Sequence, residues 1–318
     1  MKEIRNVLVI GLGAIGSIYA TKFFDYDNAC VKVLLDKSRL ERYIDDGIIF
    51  NNQRYDFEYV LEYDRFYKPD LIIIATKGTD FKQSSRMIRS FVSEDTIIMS
   101  LLNGISTEEI LMEKYGADKV LYSYYLGHAS MRRGNRIKFD GEGNIFFGEK
   151  DNTELSENVA AVKRFFDRCG ISYKIPQDMI SSLWQKFIIN IGANQTLAML
   201  KEPYSAFKEL LHARNTAFAL MSEAVEIAKA LNIKDADNFV ENAFETLCYM
   251  PPHLKPSMLQ DIENGNLTEV DFFAGEVCRL GKKLGIQTPK NSLAYNIIND
   301  SYEISLSLFF RNHFRHRN

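Results

Sequence analysis

Three polar residues interrupt an otherwise apolar stretch in the second half of the chain. Lys186, Asn190 and Asn194 are spaced four residues apart, and their neighbours are mainly phenylalanine, isoleucine and alanine. Because four residues advance an α-helix by about 40° beyond a full turn, the three side chains project from one face. Burying such a stripe costs free energy unless its polar groups are bonded, which favours a face that meets a ligand. A solvent-facing stripe on an amphipathic helix is the alternative.

A second candidate site follows the first apolar run of the chain, at residues 7–10. The run is followed by a G-x-G-x-x-G pattern that consists of Gly11, Leu12, Gly13, Ala14, Ile15 and Gly16. This spacing is typical of a strand-to-helix turn that binds the pyrophosphate of a dinucleotide, because glycine permits the tight turn and the helix N-terminus offers free N–H groups. A glycine-rich turn without a ligand is the alternative.

The residues after the second strand-like run bear on which dinucleotide binds. Asp36 follows Gly16 by 20 residues, the position of an acidic residue that bonds the adenosine ribose and favours NAD. Lys37 and Arg39 come immediately afterwards, and either suits the 2′-phosphate of NADP. We predict NADPH from the basic pair, with NADH left open by Asp36.

Two further polar residues follow later strand-like runs. Lys77 comes after the apolar run at residues 71–75, and Asn103 comes after the run at residues 96–101. Ligands of open α/β sheets bind beyond the carboxyl ends of the strands, so both residues are candidates for the ligand cleft. An exposed surface lysine and a turn-forming asparagine before Gly104 are the alternatives.

A polar segment late in the chain adds further candidates. Ser257 opens the run Ser-Met-Leu-Gln-Asp, and Thr268, Glu269 and Asp271 belong to the run Thr-Glu-Val-Asp. Thr268 as a helix N-cap, with Asp271 in the first turn, is an ordinary capping arrangement. Capping accounts for Thr268 but does not require Glu269.

Two kinds of structure are needed to position these residues. Up to residue 175, strand-like runs alternate with helix-like stretches, which predicts an α/β fold with a Rossmann-type doubly wound sheet. Short runs separated by glycines at residues 120–148 predict antiparallel strands that close the sheet. After Pro176, helical patterns are predicted at residues 180–200, 204–231, 236–247 and 269–284. We therefore predict a dinucleotide-binding domain at residues 1–175 and an all-α substrate-binding domain at residues 176–318.

Composition and charge exclude several other classes of protein. The 318 residues carry a formal net charge of −3, which gives no basic field for nucleic acid. The longest apolar runs are far shorter than the roughly 20 residues of a membrane span. Without a signal-peptide pattern at the N-terminus, a cytoplasmic location is expected. The four cysteines form no C-x-x-C pair, so free thiols and no metal site are predicted for Cys30, Cys169, Cys248 and Cys278.

Together these motifs resemble the ketopantoate reductase family, the 2-dehydropantoate 2-reductases, over nearly the whole chain. The resemblance rests on the glycine pattern, Lys77, Asn103-Gly104, the Lys-x-x-x-Asn-x-x-x-Asn pattern from Lys186, the runs at Ser257 and Thr268, and Thr288-Pro289. It implies NADPH-dependent reduction of ketopantoate to pantoate in coenzyme A biosynthesis. The oligomeric state stays open, with a homodimer as the candidate.

The resemblance also implies roles for the individual residues. Lys186 corresponds to the catalytic general acid, and Glu269 corresponds to the glutamate that supports it. The implied substrate-binding residues are Asn103, Asn190, Asn194 and Ser257. Lys77 and Asn103 correspond to residues that line the cofactor–substrate cleft.

Two departures from the family pattern leave alternatives open. Gln195 and Leu197 stand where the family often has proline and a threonine or serine, and Asp36 precedes Lys37 where the family has a small or apolar residue. A related dehydrogenase acting on another keto acid or an imine therefore remains an alternative. A non-catalytic NADP-binding sensor is a second alternative, and the presence of both Lys186 and Glu269 argues against it.

Overall fold

The computed structural model describes residues 2–127, 131–139, 141 and 143–315, with side chains up to Glu303 except that of Met131. The chain forms two compact units, Met1–Ile180 and Ser181–Asn318. In chain order the described strands are β1 (Val7–Ile10), β2 (Val31–Leu34), β3 (Ile48–Phe50), β4 (Gln53–Tyr55), β5 (Glu58–Val60), β6 (Leu71–Ile74), β7 (Ile97–Ser100), β8 (Val120–Gly127), β9 (Met131–Arg133), β10 (Arg136–Lys138), β11 (Gly143–Gly148) and β12 (Tyr173–Lys174).

The helices follow the same division. Those of the first unit are α1 (Ala14–Tyr26), α2 (Lys37–Asp46), α3 (Phe81–Met87), α4 (Thr107–Tyr115) and α5 (Glu157–Arg168). Next comes α6 (Met179–Leu200), and the second unit continues with α7 (Ala206–Glu209), α8 (Leu211–Ala230), α9 (Phe239–Tyr249), α10 (Ser257–Glu263), α11 (Ala274–Leu284) and α12 (Pro289–Arg315). No helix in the described ranges has the length and apolarity that crossing a membrane requires.

The main sheet of the first unit has the strand order β12-β11-β8-β7-β6-β1-β2-β5. The six strands from β8 to β5 are parallel to one another. Numbered among themselves, they follow the order 3-2-1-4-5-6 of the doubly wound dinucleotide-binding fold. The order reverses between β1 and β6, and this is the point where such sheets bind their ligands. The predicted fold class is therefore confirmed.

The sequence of the central strands explains why they lie in the middle of the sheet. Every residue of β1, β6 and β7 is buried, and nearly all of them are valine, leucine or isoleucine. Parallel strands that are covered on both faces need such continuous apolar runs. The strands predicted from these runs are confirmed.

A second, smaller sheet has the strand order β4-β3-β10-β9 and is assembled from two hairpins. Asn51 and Asn52 turn the first hairpin with φ values of 47° and 70°, as a two-residue hairpin turn requires. The prediction that strands at residues 120–148 close the main sheet is confirmed for β11, which pairs antiparallel with β8. It is wrong for β10, which pairs with β3, because a strand with only Ile137 buried suits a half-exposed sheet.

The second unit is helical, as predicted, and differs from the predicted helices at several points. Leu210 is extended and separates α7 from α8. The helix predicted from residue 269 begins at Ala274, after a short 3₁₀ turn at Val270–Phe272. Helix α12 was not predicted. Its first residue is Pro289, a favoured place for proline because the first helical N–H has no partner within the helix.

A buried polar network joins three helices of this unit. The carboxylate of Glu223 on α8 accepts hydrogen bonds from the backbone N–H groups of Lys290 (2.7 Å) and Asn291 (2.9 Å) at the start of α12. The side chain of Asn291 is fully buried. Its Nδ2 donates to Glu223 (2.9 Å) and to the Leu220 carbonyl (3.0 Å), and its Oδ1 accepts from Gln195 Nε2 on α6 (3.0 Å). The network fixes α12 against α6 and α8.

Candidate active site

The glycine loop joins β1 to α1 at the point where the strand order reverses. Gly11 has a φ of 98°, and a Cβ on it would lie 2.6 Å from the backbone of Ala75 and Thr76. A Cβ on Gly16 would lie 1.8 Å from the carbonyl oxygen of Gly11. Glycine is therefore required at both positions by packing within the protein itself.

Gly13 is different, because space is left above its backbone. A Cβ on Gly13 would meet only the carbonyl oxygen of Ala75, at an ordinary 3.8 Å. Gly13 is the N-cap residue of α1, and no side-chain hydrogen bond caps that helix. The first-turn N–H groups and the positive end of the helix dipole thus suit a phosphate group. The loop therefore fits the pyrophosphate of a dinucleotide.

The end of β2 carries the residues that bear on cofactor choice. Asp36 is the N-cap of α2 and accepts a hydrogen bond from the Arg39 N–H at 3.1 Å. Its carboxylate also accepts from the Ser38 hydroxyl and forms an ion pair with Arg39 Nε at 3.0 Å. Lys37 is exposed at the first position of the helix. The acidic side chain is thus engaged within its own helix turn, while the ammonium group of Lys37 is exposed to solvent.

Lys77 and Asn103 lie beyond the carboxyl ends of β6 and β7, as the strand pattern predicts. Lys77 is exposed and precedes the 3₁₀ turn Gly78–Asp80. Asn103 is half-buried and precedes Gly104, which has a φ of 102°. Because β1, β6 and β7 are parallel neighbours, both residues share one edge of the sheet with the glycine loop.

One residue at this edge was not predicted from the sequence. Arg132 of β9 donates from Nη1 to the carbonyl oxygen of Leu12, inside the glycine loop. Its Nη2 donates to the hydroxyl of Tyr43 at 3.1 Å, and its Nε donates to the Gly134 carbonyl at 2.8 Å. No local pattern marks this residue, because its main partner is 120 residues away in the sequence.

The polar stripe of the second unit lies on α6. Lys186 and Asn190 are half-buried, and Asn194 is only 5% exposed. The adjacent side chains of Phe187 and Ile191 are buried in the core of the unit. The stripe is therefore partly exposed at Lys186 and Asn190 and almost fully buried at Asn194.

Three of the predicted substrate-binding residues form one hydrogen-bonded cluster. The Oδ1 atom of Asn194 accepts from the Ser257 hydroxyl and from the Met258 N–H, both at 3.2 Å. The Nδ2 atom of Asn194 donates to Oδ1 of Asn190 at 3.3 Å. Asn194 therefore links the start of α10 to α6 and fixes the orientation of the Asn190 amide.

Glu269 lies in a non-helical segment that is anchored on α6. It is half-buried and directly precedes the 3₁₀ turn Val270–Phe272. Four residues later, the ring of Phe273 stacks on that of Phe187 with centroids 6.4 Å apart, and both rings are buried. This contact anchors the end of the segment that follows Glu269 on α6, at the residue next to Lys186 in the sequence.

The N-cap prediction for Thr268 is wrong. Helix α11 begins only at Ala274, and its N-cap residue is Phe273. Phe273 has φ −115° and ψ −93°, a conformation outside the helical region. The stacking of its ring on α6 accompanies this break, and the capping pattern of the sequence carries no information about that contact.

The four cysteines are free thiols. Burial raises the pKa of Cys30 to about 11 and that of Cys169 to about 12, so both thiols stay protonated at neutral pH and are poor nucleophiles. Among the residues that the structure describes, no three His, Cys, Asp or Glu side chains come together as a metal site.

The doubly wound sheet and the glycine loop of the first unit define a dinucleotide-binding fold of the Rossmann type. Comparison with family models then identifies the group to which the chain belongs. The model described as Ketopantoate reductase PanE/ApbA matches residues 7–152, and the model of the C terminal part of Ketopantoate reductase PanE/ApbA matches residues 178–302. The chain belongs to the ketopantoate reductase family and is a 2-dehydropantoate 2-reductase-like enzyme.

Individual relatives cover the chain almost completely. The 2-dehydropantoate 2-reductase of Aquifex aeolicus is 26% identical over 304 residues, which are 93% of this chain and 96% of that protein. A D-mandelate dehydrogenase solved with NADH and anilino(oxo)acetate has a TM-score of 0.81 and 23% identity, over 94% of this chain and 99% of that one. A dimeric ketopantoate reductase from Staphylococcus aureus has a TM-score of 0.76 and 17% identity, over 94% and 99%. The two structures show that the fold is shared.

Proposed function

We propose that this enzyme reduces a 2-keto acid at its ketone with NADPH, and that the substrate is ketopantoate, which becomes pantoate for pantothenate and coenzyme A synthesis. The observation that carries the proposal is the cluster of Asn190, Asn194 and Ser257, which begins one helical turn after Lys186. The relative from Aquifex aeolicus, a 2-dehydropantoate 2-reductase, supports the choice of substrate. A cytoplasmic location is part of the same proposal.

Lys186 is the proton donor in this proposal. NADPH, when bound, would supply a hydride to the ketone carbon, which leaves negative charge on the ketone oxygen. The ammonium group of Lys186 stabilises that charge and transfers its proton to the oxygen. Glu269 supports the lysine by holding its ammonium group in position.

The substrate is bound by the groups that Asn194 positions. Oδ1 of Asn190 accepts a hydrogen bond from Asn194. The Nδ2 atom of Asn190 therefore points away from Asn194 and is the group that would donate to the keto acid. The Ser257 hydroxyl donates its hydrogen bond to Asn194, so the lone pairs of the Ser257 oxygen are left to accept from a hydroxyl group of the substrate. Ketopantoate carries a carboxylate, a ketone and a hydroxyl group. Its carboxylate and ketone oxygens can accept from the Asn190 amide, and its hydroxyl group can donate to the Ser257 oxygen.

The NADPH preference is supported by the end of β2. The Asp36 carboxylate is engaged by Arg39 and Ser38, so it competes poorly for the ribose hydroxyls that NADH presents. Lys37 is exposed at the same strand end and is the residue that would meet the 2′-phosphate. NADH is the alternative, because the D-mandelate dehydrogenase of similar fold was solved with that cofactor.

A different keto acid or an imine is the second candidate substrate. Gln195 and Leu197 are both fully buried on α6, next to Asn194, at positions where the family pattern differs. The test measures NADPH and NADH oxidation at 340 nm with ketopantoate, phenylglyoxylate, other 2-keto acids and cyclic imines. We expect the highest kcat/KM with ketopantoate and NADPH. A higher value with an aromatic keto acid would reassign the substrate, and no oxidation with any compound would contradict a reductase.

We further propose that the enzyme is a homodimer, since the ketopantoate reductase of similar fold from Staphylococcus aureus is dimeric. In the second unit an apolar groove lies between α8 and α9, where the ring of Phe218 stacks on that of Phe244. Phe218 and Tyr249 are 55% and 88% exposed. Light scattering after size-exclusion chromatography tests whether the enzyme is a dimer. If a Phe218→Glu variant is as dimeric as the wild type, the groove is not the dimer interface.

A further inference from the structure

Arg132 connects the second sheet to the glycine loop at the carboxyl ends of β1, β6 and β7, which we call the cofactor edge of the main sheet. Its planar guanidinium donates to the Leu12 carbonyl and to the Tyr43 hydroxyl at the same time. Leu12 is buried and lies between the first two glycines of the fingerprint. An arginine fork serves two acceptors in fixed directions, whereas a lysine ammonium provides a single point charge.

The contact with Leu12 fixes a peptide plane that matters for phosphate binding. In a trans peptide the C=O of one residue and the N–H of the next point in opposite directions. When Arg132 holds the Leu12 carbonyl, the N–H of Gly13 is therefore directed away from the arginine. Gly13 is the N-cap residue of α1, where space remains for a ligand, so the arginine governs the direction of a donor at the phosphate site.

The contact with Tyr43 ties in the other end of the cofactor region. Tyr43 is buried on α2, the helix that begins with Lys37 at the end of β2. Arg132 thus bridges the loop that faces the pyrophosphate and the helix that follows the adenosine-ribose position. These two segments are joined by one side chain from a sheet that is not part of the doubly wound core.

We propose that Arg132 is a positioning residue for the dinucleotide: it holds the Leu12–Gly13 peptide and α2 in the arrangement that binds the pyrophosphate of either cofactor. The inference rests on the cofactor site of the proposed function and is independent of the keto acid and of the NADPH preference. It predicts that losing Arg132 weakens NADPH and NADH alike, whereas losing Lys37 weakens NADPH alone.

The test is calorimetric titration of the enzyme with NADPH and with NADH, without keto acid. For Arg132→Ala and Arg132→Lys we expect Kd to rise about tenfold for both cofactors, the size of one lost charge-assisted hydrogen bond. The lysine variant keeps the charge and loses the fork, so a role of charge alone predicts wild-type affinity for it. With saturating cofactor, kcat should stay within about twofold of the wild type, because the reacting atoms are not touched.

Arg133 provides the matched control. It is exposed and follows Arg132 on the same strand, so its side chain points to the opposite face. We expect Arg133→Ala to bind both cofactors as the wild type does. Equal losses in the Arg132 and Arg133 variants, or wild-type Kd values for Arg132→Ala or Arg132→Lys, would overturn the proposal.

A third variant keeps the test decisive if Arg132→Ala does not fold. Tyr43→Phe removes only the hydroxyl acceptor and leaves the buried ring in place, and we expect it to raise Kd about threefold for both cofactors. Unchanged affinity in a folded Tyr43→Phe variant would contradict the bridge to α2. A wild-type enzyme that binds neither cofactor would instead refute the proposed function.

Discussion

The cofactor edge of the first unit and the polar cluster of the second unit are built from different materials. At the glycine loop the ligand-facing groups are backbone N–H groups, and the side chains are reduced to hydrogen at Gly11, Gly13 and Gly16. On α6 the proposed working groups are polar side chains, such as Lys186 and Asn190, on a regular helix. We therefore expect the first site to be disrupted by added atoms and the second by removed atoms.

The largest effect is expected from removing the ammonium group of the second unit. Lys186→Ala should lower kcat by about 10²–10⁴-fold, the range for a positioned general acid. The calorimetric Kd for NADPH should hardly change, because in the proposed mechanism the lysine contacts the ketone and not the dinucleotide. Glu269→Ala should also lower kcat, and the double variant should lose less than the product of the single losses, since the pair acts as a unit. Wild-type turnover in Lys186→Ala would remove the lysine from the mechanism.

A smaller but still large effect is expected from adding atoms to the glycine loop. Gly13→Val should fold normally, because a Cβ there meets only a 3.8 Å contact, and should weaken NADPH binding by about 100-fold or more by filling the phosphate site. Gly16→Ala should instead lower Tm, because its Cβ would lie 1.8 Å from a backbone oxygen and overpacking costs about 1–3 kcal/mol. Calorimetry measures the loss of NADPH binding expected for Gly13→Val, and thermal unfolding measures the loss of stability expected for Gly16→Ala. Similar losses of Tm in both variants would refute the distinction.

Lys37 tests whether a side chain of the first unit contacts the cofactor directly. Lys37→Ala should raise KM for NADPH by about 10–100-fold, the size of a lost charge-assisted contact, and leave KM for NADH within about twofold. Arg42→Ala removes another exposed basic side chain of the same helix, is the control, and should change neither constant. If KM rises equally for both cofactors, Lys37 does not contact the 2′-phosphate.

The smallest expected effect concerns the scaffold of the second unit. Asn291→Leu removes the centre of the buried network: Gln195 loses its Asn291 acceptor, and Glu223 loses the Asn291 amide while keeping two backbone donors. This loss should cost about 1–3 kcal/mol. Tm should fall by several degrees (roughly 2–10 °C), with Kd for NADPH unchanged. Ser292→Ala, the exposed neighbour, should keep the wild-type Tm. An unaltered Tm in Asn291→Leu would show that the network does not stabilise the unit.

The parts of the fold that were predictable are those encoded by local patterns. The continuous apolar runs of β1, β6 and β7 and the glycine spacing after β1 directly reflect a covered parallel sheet. The short strands β3 to β5 were missed because they have only three residues each, too few to show a period, and β4 and β5 also mix polar and apolar residues. The long helix α12 was missed because its apolar residues follow no strong helical stripe, although Pro289 is a favoured helix start.

The candidate site was predictable only where its residues share an element or a motif. The spacing of Lys186, Asn190 and Asn194 is visible on one helix, and the structure joins two of them to Ser257. The roles of these residues remain predictions. Arg132 had no signal, because its contacts with Leu12 and Tyr43 arise from the pairing of β3 with β10, which local periodicity does not encode.

The position of the second sheet in the sequence also affects when the glycine loop gains its contact with Arg132 during synthesis. The glycine pattern is made early, but the residue that holds the Leu12 carbonyl is translated 120 residues later. The ordering entropy of that long segment has to be overcome before β10 pairs with β3. A nascent chain that has not yet exposed β9 and β10 therefore carries the complete fingerprint without Arg132. If Arg132 positions the loop as we propose, full cofactor affinity is expected only after both hairpins have left the ribosome.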